Sequence, residues 1–414
     1  MTLLALAGLL ALGLPACAPR PDVLTFSGSV VGGEGEIVRR QIARFQAAHP
    51  GVRVEVRVTP DSADTRHQLY VQWLSAWAPD PDVLQLDVIW TPEFAAAGWI
   101  LPIDLPPEAA ADFFPATLAA NRWRGRLYAV PWFVDVGMLY WRTDLMPAAP
   151  GTFTELDAAA RGAIDRGVPY GLVWQGARYE GLVTVFVEYL AGTGGRILDD
   201  DGTVVVDAPA AVRALAIMCD EVRDGIVPGA ALAWQEEQTR FAFQNGRAAM
   251  MRNWPYAAAL MRDPSGSAVA GRFGVAPMPH GAGTSGAALG GAQLAVNARS
   301  RQPDLARELV RFLTAPAQML ERAEIAGQFP ARRRVYDEAR LAAALPIAPA
   351  DARRIIEHAV PRPATPLYTQ LSGLLQIQLH RALTGQASPA EALSAAADGM
   401  RRAIADAGLD EAAR

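Results

Sequence analysis

The sequence predicts an α/β protein built as two lobes, and three observations carry that expectation. Apolar stretches of strand and helix spacing alternate in the order β-α-β-α-β over residues 23–90, the pattern of a sheet flanked by helices. A second alternating set fills the middle of the chain. The length, 414 residues, exceeds the roughly 250–300 residues at which a single core stops growing.

Taken in order, residues 23–26 read as a short apolar strand. Gly32-Gly33-Glu34-Gly35 reads as a loop. Residues 37–48 place Ile37, Val38, Gln41, Ile42 and Phe45 on one helical face, and Pro50-Gly51 stops the helix. Val52, Val54, Val56 and Val58 then alternate with Arg53, Glu55 and Arg57, the period of a half-exposed strand. Helical spacing returns over residues 66–77, and residues 83–90 read as a buried strand. In such a sheet, ligand groups gather at the strand ends. Residues 127–141 are long, apolar and aromatic. A strand at 170–174 precedes helices at 179–191, 210–223 and 236–244. Residues 275–291 read as a Gly/Pro-rich loop leading into a strand at 293–296. From Asp304 the chain reads as mainly helical, with Pro-rich breaks at 346–349 and 361–366.

Residues 3–14 form an uncharged apolar run that ends in Leu14-Pro15-Ala16-Cys17. It is too short to span a bilayer as a helix, which takes about 20 residues, and has the length of a secretory signal core. A cysteine at the cleavage point resembles the lipobox of bacterial lipoproteins. The expectation is a signal peptide over residues 1–17, Cys17 as the lipid anchor, and a chain working in the periplasm or at the outer face of the cell membrane. The membrane is then met only through that lipid.

Composition excludes several chemistries. The chain is 51% hydrophobic and 20% charged, with a net charge of −5, which argues against nucleic acid as the main partner. All 38 basic residues are arginine. A phosphate-binding P-loop and a Schiff-base enzyme both need a lysine, so neither is available. The histidines at 49, 67, 280, 358 and 380 lack zinc-site spacing. Gly283-Thr284-Ser285-Gly286 is one residue short of a nucleophile elbow, and Asp199-Asp200-Asp201-Gly202 reads as a surface turn. Cys219 reads as a buried, inert thiol. No metal, no cofactor and no catalytic residue is expected.

Sugars present hydroxyls around an apolar ring face. Binding them in water takes carboxylate and guanidinium partners and aromatic plates. Local pairings of that kind occur at Asp87 with Trp90, at Trp132-Phe133 with Asp135, at Asn253-Trp254-Pro255-Tyr256, and at Arg362. Each also has an ordinary reading as core beside surface.

Six ordered blocks carry a family resemblance. They are Asp80-Pro81-Asp82-Val83 through Asp87 to Gly98-Trp99; Leu127-Tyr128-Ala129-Val130-Pro131 through Asp135 to Tyr140-Trp141-Arg142-Thr143-Asp144-Leu145; Val173-Trp174-Gln175-Gly176 with Tyr179-Glu180-Gly181-Leu182; Arg252-Asn253-Trp254-Pro255-Tyr256; Gly274-Val275-Ala276-Pro277-Met278-Pro279-His280; and Val360-Pro361-Arg362-Pro363. In these the chain resembles the trehalose/maltose-binding proteins of ABC importers, within the extracellular sugar-binding proteins.

The resemblance implies a two-lobed periplasmic-binding-protein clamshell with hinge crossover strands. The first lobe would take residues 22–131 and 293–342, and the second 136–288 and 347–414. Hinges would lie near 131–136, 288–293 and 342–347. It implies a disaccharide ligand, an ABC permease as partner, a monomer, and no enzymatic step. It also implies roles. Glu34 would accept sugar hydroxyls and Arg66 would donate to ring or hydroxyl oxygens. Asp87 and Asp135 would bind hydroxyl pairs from opposite walls. Trp254 would stack on a ring, Gly291 would offer its backbone, and Arg362 would close over the sugar. Glu236 would face the cleft. Asp61 stands where relatives carry threonine, Phe133 where they carry tyrosine, and Ala292 where a tryptophan follows the Gly-Gly pair. Maltose, trehalose, a longer α-glucoside or another disaccharide therefore stay open. The rival readings are a same-fold protein for another glycoside, a polyol or a glycerol phosphodiester, and a secreted glycoside hydrolase. Against hydrolysis, the sequence shows no acid in an apolar pocket that would raise its pKa.

Overall fold

The structure, a computed structural model, describes residues 22–408. The expected signal segment and Cys17 lie outside the described residues. Twelve strands occur among the described residues: β1 (Asp22–Gly28), β2 (Val52–Val58), β3 (Val83–Asp87), β4 (Arg122–Trp123), β5 (Arg126–Leu127), β6 (Ala129–Val136), β7 (Met138–Arg142), β8 (Tyr170–Val173), β9 (Ala248–Asn253), β10 (Phe273–Ala276), β11 (Leu289–Val296) and β12 (Phe329–Pro330).

Two sheets hold ten of them, and β4 and β5 pair only with each other. The larger has the order β12-β6-β11-β3-β1-β2, and the smaller β10-β7-β9-β8. β1 pairs in parallel with β2 and β3, with a helix in each connection, while β11 runs antiparallel between β3 and β6. β1 is buried along five of its seven residues because helices cover the sheet. β2 sits at the sheet edge, so only Val54 is buried and Val58 is 59% exposed. The expected half-buried alternation there is lost to its edge position.

Other boundaries shift for local reasons. The first helix begins at Glu34, inside the expected Gly-rich loop, with Glu34 and Glu36 in its first turn at the positive helix end. β3 ends at Asp87, and Trp90 begins the next helix, Thr91–Ala96. The expected loop over residues 275–291 hides two strands: β10, and the start of β11 at Leu289. Glycines mask the second. Gly291 sits at φ +109 inside the strand, and a Cβ there would lie 2.3 Å from the Phe133 carbonyl oxygen. Cys219 is half-buried rather than buried, and burial pushes its thiol up to about 11.

The sheets are joined where β6 runs into β7 through Gly137. A Cβ on Gly137 would fall 1.6 Å from Glu188 Oε1 and 2.6 Å from Arg252 Nη2. Glycine is required because a buried ion pair fills that space. Arg252 donates to Glu188 at 2.8 and 2.5 Å, and Ala288, just before β11, donates its N–H to Glu188 at 3.3 Å. Two passages between the sheets therefore lean on one ion pair. The helix Pro349–Glu357 packs against β6 and the turn Arg333–Asp337. Beyond it Val360 pairs with Ala288, where Leu289 N–H donates to Val360 O at 2.9 Å.

Candidate functional site

Between the sheets lies a cavity of about 260 Å³. All eight residues expected to bind ligand line it: Glu34, Arg66, Asp87, Asp135, Glu236, Trp254, Gly291 and Arg362. So do the three departures, Asp61, Phe133 and Ala292.

Three of the wall carboxylates are first residues of helices. Glu34 opens Glu34–Ala48, Glu180 opens Glu180–Gly192, and Glu236 opens Glu236–Gln244. Each sits at a positive helix end, which favours its charge. Asp87 ends β3, and Asp135 lies near the end of β6, opposite Gly290 of β11. Helix starts and strand ends thus converge on one space, the usual ligand position in an α/β sheet.

The floor is a polar chain. Gln328 donates to Glu34 Oε1 at 2.6 Å and accepts from Arg322 at 2.6 Å. Arg322 is fully buried with its guanidinium carbon 3.6 Å from the Trp132 ring centre, and desolvation lowers its pKa to about 10 against the pull of Glu34 and Asp135. Glu34 Oε2 and Asp135 Oδ1 are buried with no protein partner. Desolvation first, then the charges of Glu34 and Asp87, push the Asp135 carboxyl up to about 8.

On the opposite wall, Trp254 donates its Nε1–H to Glu236 Oε1 at 3.3 Å, and Tyr179 donates its hydroxyl to Glu236 Oε2 at 2.7 Å. Arg66 is partly committed: its Nη1 donates to the Pro60 and Asp61 carbonyls, and its Nε has no protein partner. Arg362 is more committed than expected. It donates to Glu180 at 2.6 Å, to Asp87 at 3.4 Å and to the Leu289 carbonyl at 3.2 Å. Its reach toward a ligand is therefore short. Gly291 lies at a bulge between β11 and β6, where the register shifts after Ala292.

This set of acids, guanidinium groups and aromatic rings (Phe133, Tyr179, Trp254 and Tyr256) suits a neutral polyhydroxylated ligand. Sequence reasoning missed Tyr179, Glu180, Gln328 and Arg322. Tyr179 and Glu180 fell inside a matching block but received no role. Nothing in the local sequence marks Gln328, which lines the cavity, or Arg322, on the helix Pro316–Ala326, which meets the cavity only through Gln328.

The family described as bacterial extracellular solute-binding protein matches residues 31–320. The chain belongs to the bacterial extracellular solute-binding proteins. Among relatives, a probable ABC transporter-binding protein of Deinococcus radiodurans is 36% identical over 89% of this chain and 91% of its own. A mannitol-binding protein of Pseudomonas aeruginosa is 27% identical over 96% of each chain. Among solved structures, maltose-bound MalE3 of T. maritima superposes with a TM-score of 0.87 at 39% identity, covering 92% of this chain and 99% of that one. The solute-binding fold is therefore the two-lobed clamshell expected from the sequence. Among the described residues, no helix is long and apolar enough to cross a membrane.

Proposed function

We propose that this solute-binding protein is the extracytoplasmic sugar-binding component of an ABC importer. It takes an α-glucosidic disaccharide of the maltose or trehalose type between its lobes and delivers it to a membrane permease. One observation carries the reading: eight residues expected to bind sugar, spread from Glu34 to Arg362 and four of them within separate matching blocks, all line one cavity. The likeness to a maltose-bound protein supports it.

In this reading Asp87 and Asp135 accept hydroxyl hydrogens from opposite sides, Glu34 and Glu236 accept others, Arg66 donates, and Trp254 covers a ring face. The lobes hinge at Gly137, at Ala288 and near Val360. The third position follows from the helix Pro349–Glu357, which packs on the larger-sheet side, so the crossing falls later than residues 342–347. Sugar binds the closed form better than the open one and so shifts the lobes toward closure. The cavity, about 260 Å³, falls just below the roughly 300–1,000 Å³ usual for small-molecule sites. That favours one or two rings over a longer α-glucoside. Cys17, once acylated, would keep the receptor near its permease, and the chain would act as a monomer.

The expected argument against a hydrolase does not survive, because desolvation pushes the Asp135 carboxyl up to about 8. Membership among binding proteins now carries that point. A second reading, an acyclic polyol, draws on the small cavity and the mannitol-binding relative. Ala292, where an aromatic plate is missing, favours it too.

Calorimetry with maltose, trehalose, maltotriose, sucrose and mannitol tests the choice. Heat with maltose or trehalose supports the disaccharide, heat with mannitol alone supports the polyol, and heat with none ends the sugar reading. Turnover of a nitrophenyl glucoside would point to hydrolysis. Mass spectrometry of the membrane fraction would show whether Cys17 carries lipid.

A further inference from the structure

We propose that Glu180 is the positioning residue that couples lobe closure to the sugar site. The inference rests on the sugar-importer reading and deepens it.

Glu180 belongs to the smaller-sheet wall, is 4% exposed, and accepts from three donors. Arg362 Nη1 donates to Oε1 at 2.6 Å, the Tyr368 hydroxyl donates to the same oxygen at 2.7 Å, and the Ser372 hydroxyl donates to Oε2. All three donors follow the third crossing, so they stay with Glu180 when the lobes part. A buried guanidinium needs such a partner, because leaving it unpaired carries a heavy desolvation cost.

Held this way, Arg362 turns its other Nη toward the opposite wall. It reaches Asp87 Oδ1 at 3.4 Å and the Leu289 carbonyl at 3.2 Å. Glu180 also makes its own crossing contact, since its backbone N–H donates to Asp64 Oδ1 at 3.3 Å, on the helix Ala63–Ser75 of the larger-sheet lobe. One residue thus bridges the lobes twice, once directly and once through Arg362. The second bridge ends on Asp87, a proposed sugar ligand. Opening the cleft breaks both bridges, and closing it brings a positive charge to Asp87 as the sugar hydroxyls arrive. Arg362 on this view is a strut between walls, and its place beside Asp87 is set by Glu180.

The test uses the full mature chain with spin labels at Arg39→Cys and Arg213→Cys, both exposed and on different lobes, in a Cys219→Ser background. Maltose titration gives Kd, and the label distance reports closure. In the wild type, saturating maltose is expected to shorten the distance. Glu180→Gln is expected to weaken maltose about tenfold and to leave the distance long or broad at saturation. A purely structural role would lower the melting temperature yet leave the saturated distance short, and that result overturns the proposal. So does an unchanged Kd. If Glu180→Gln does not fold, Asp64→Asn and Ser372→Ala each remove one contact of Glu180. Both are expected to weaken maltose about threefold with incomplete closure, and unchanged closure in both overturns the proposal. If the wild type binds none of the sugars, the importer reading falls separately. The latch is then read on the closed fraction of the ligand-free distance distribution: a smaller closed fraction in Glu180→Gln supports it, and an unchanged one overturns it.

Discussion

The Arg252 guanidinium carbon lies 3.8 Å from the centre of the Trp254 ring. One face of the indole is therefore held by a cation, a contact worth about 0.5–2 kcal/mol, while the residue lines the cavity. The Nε1–H bond to Glu236 fixes the ring's rotation. The plate is preorganised before sugar arrives. Trp254→Ala is expected to weaken maltose about tenfold or more, since stacking area and orientation are both lost. Trp254→Phe should recover part of the affinity. Equal affinity in calorimetry for wild type and Trp254→Ala would remove Trp254 from the site.

Asp87 offers a carboxylate at the end of β3 with Arg362 on one oxygen. Asp87→Ala is expected to cost about tenfold in affinity, because hydroxyl donors of the sugar would be buried without acceptors. Melting temperature measured alongside separates this loss from misfolding. Should affinity hold while stability falls, Asp87 is only a partner of Arg362.

The Arg252–Glu188 pair is fully buried at the passage between the sheets. Removing one partner leaves an uncompensated charge, at a cost of roughly 3–5 kcal/mol. Glu188→Ala should therefore lower stability by that order in urea denaturation. Gly137→Ala should do similar harm by pushing a methyl group into the pair. A loss below about 1 kcal/mol in both would mean that solvent reaches the pair.

Asp135 carries a pH signature. Its pKa is about 8 in the fold against about 3.9 for a free aspartate. Between those values the folded state keeps a proton that the unfolded state has released. Stability should thus fall as pH rises from about 4 to about 8, by at most about 1.4 kcal/mol per pH unit from this group. Asp135→Asn should flatten the slope, and urea melts from pH 5 to 8 read it directly. A sugar hydroxyl donating to the carboxylate favours the ionised form. Binding at pH 7 should therefore release protons, seen as heats that differ between buffers of different ionisation enthalpy. Identical slopes in wild type and Asp135→Asn would remove Asp135 as the source of the pH dependence.

Gly291 adopts φ +109 with the Phe133 carbonyl 2.3 Å from where a Cβ would be. Gly291→Ala should lower stability by about 1–3 kcal/mol and widen the bulge beside Asp135. Thermal melts check the first expectation and maltose affinity the second.

Half of the site, Asp87, Asp135, Trp254 and Arg362, was legible because it belongs to ordered blocks. Glu236 also stands where local pattern alone marks a helix start, whereas the pattern put Glu34 in a loop and Asp87 inside a strand. What was hidden shares one physical cause. Gln328 and Arg322 lie about 290 residues from Glu34 in the chain, and nothing in their own neighbourhood differs from an ordinary amphipathic helix and turn. The strand start at Leu289 was hidden because glycine lowers strand propensity, although a crowded bulge is where glycine is required.

The sequence by itself determined the two-lobed α/β class and the exclusion of lysine-dependent chemistry, and its resemblance pointed to eight residues that prove to line one cavity. Period, composition and ordered motifs act locally along the chain, so they can be read there. Only the tertiary structure decided how those groups are spent. It tied Arg362 to Glu180 and Asp87, withdrew solvent from Asp135 so that its proton is held to about pH 8, and set Arg252 beneath Trp254. Charge partners and desolvation depend on which distant segments pack together, and no stretch of sequence contains that distance.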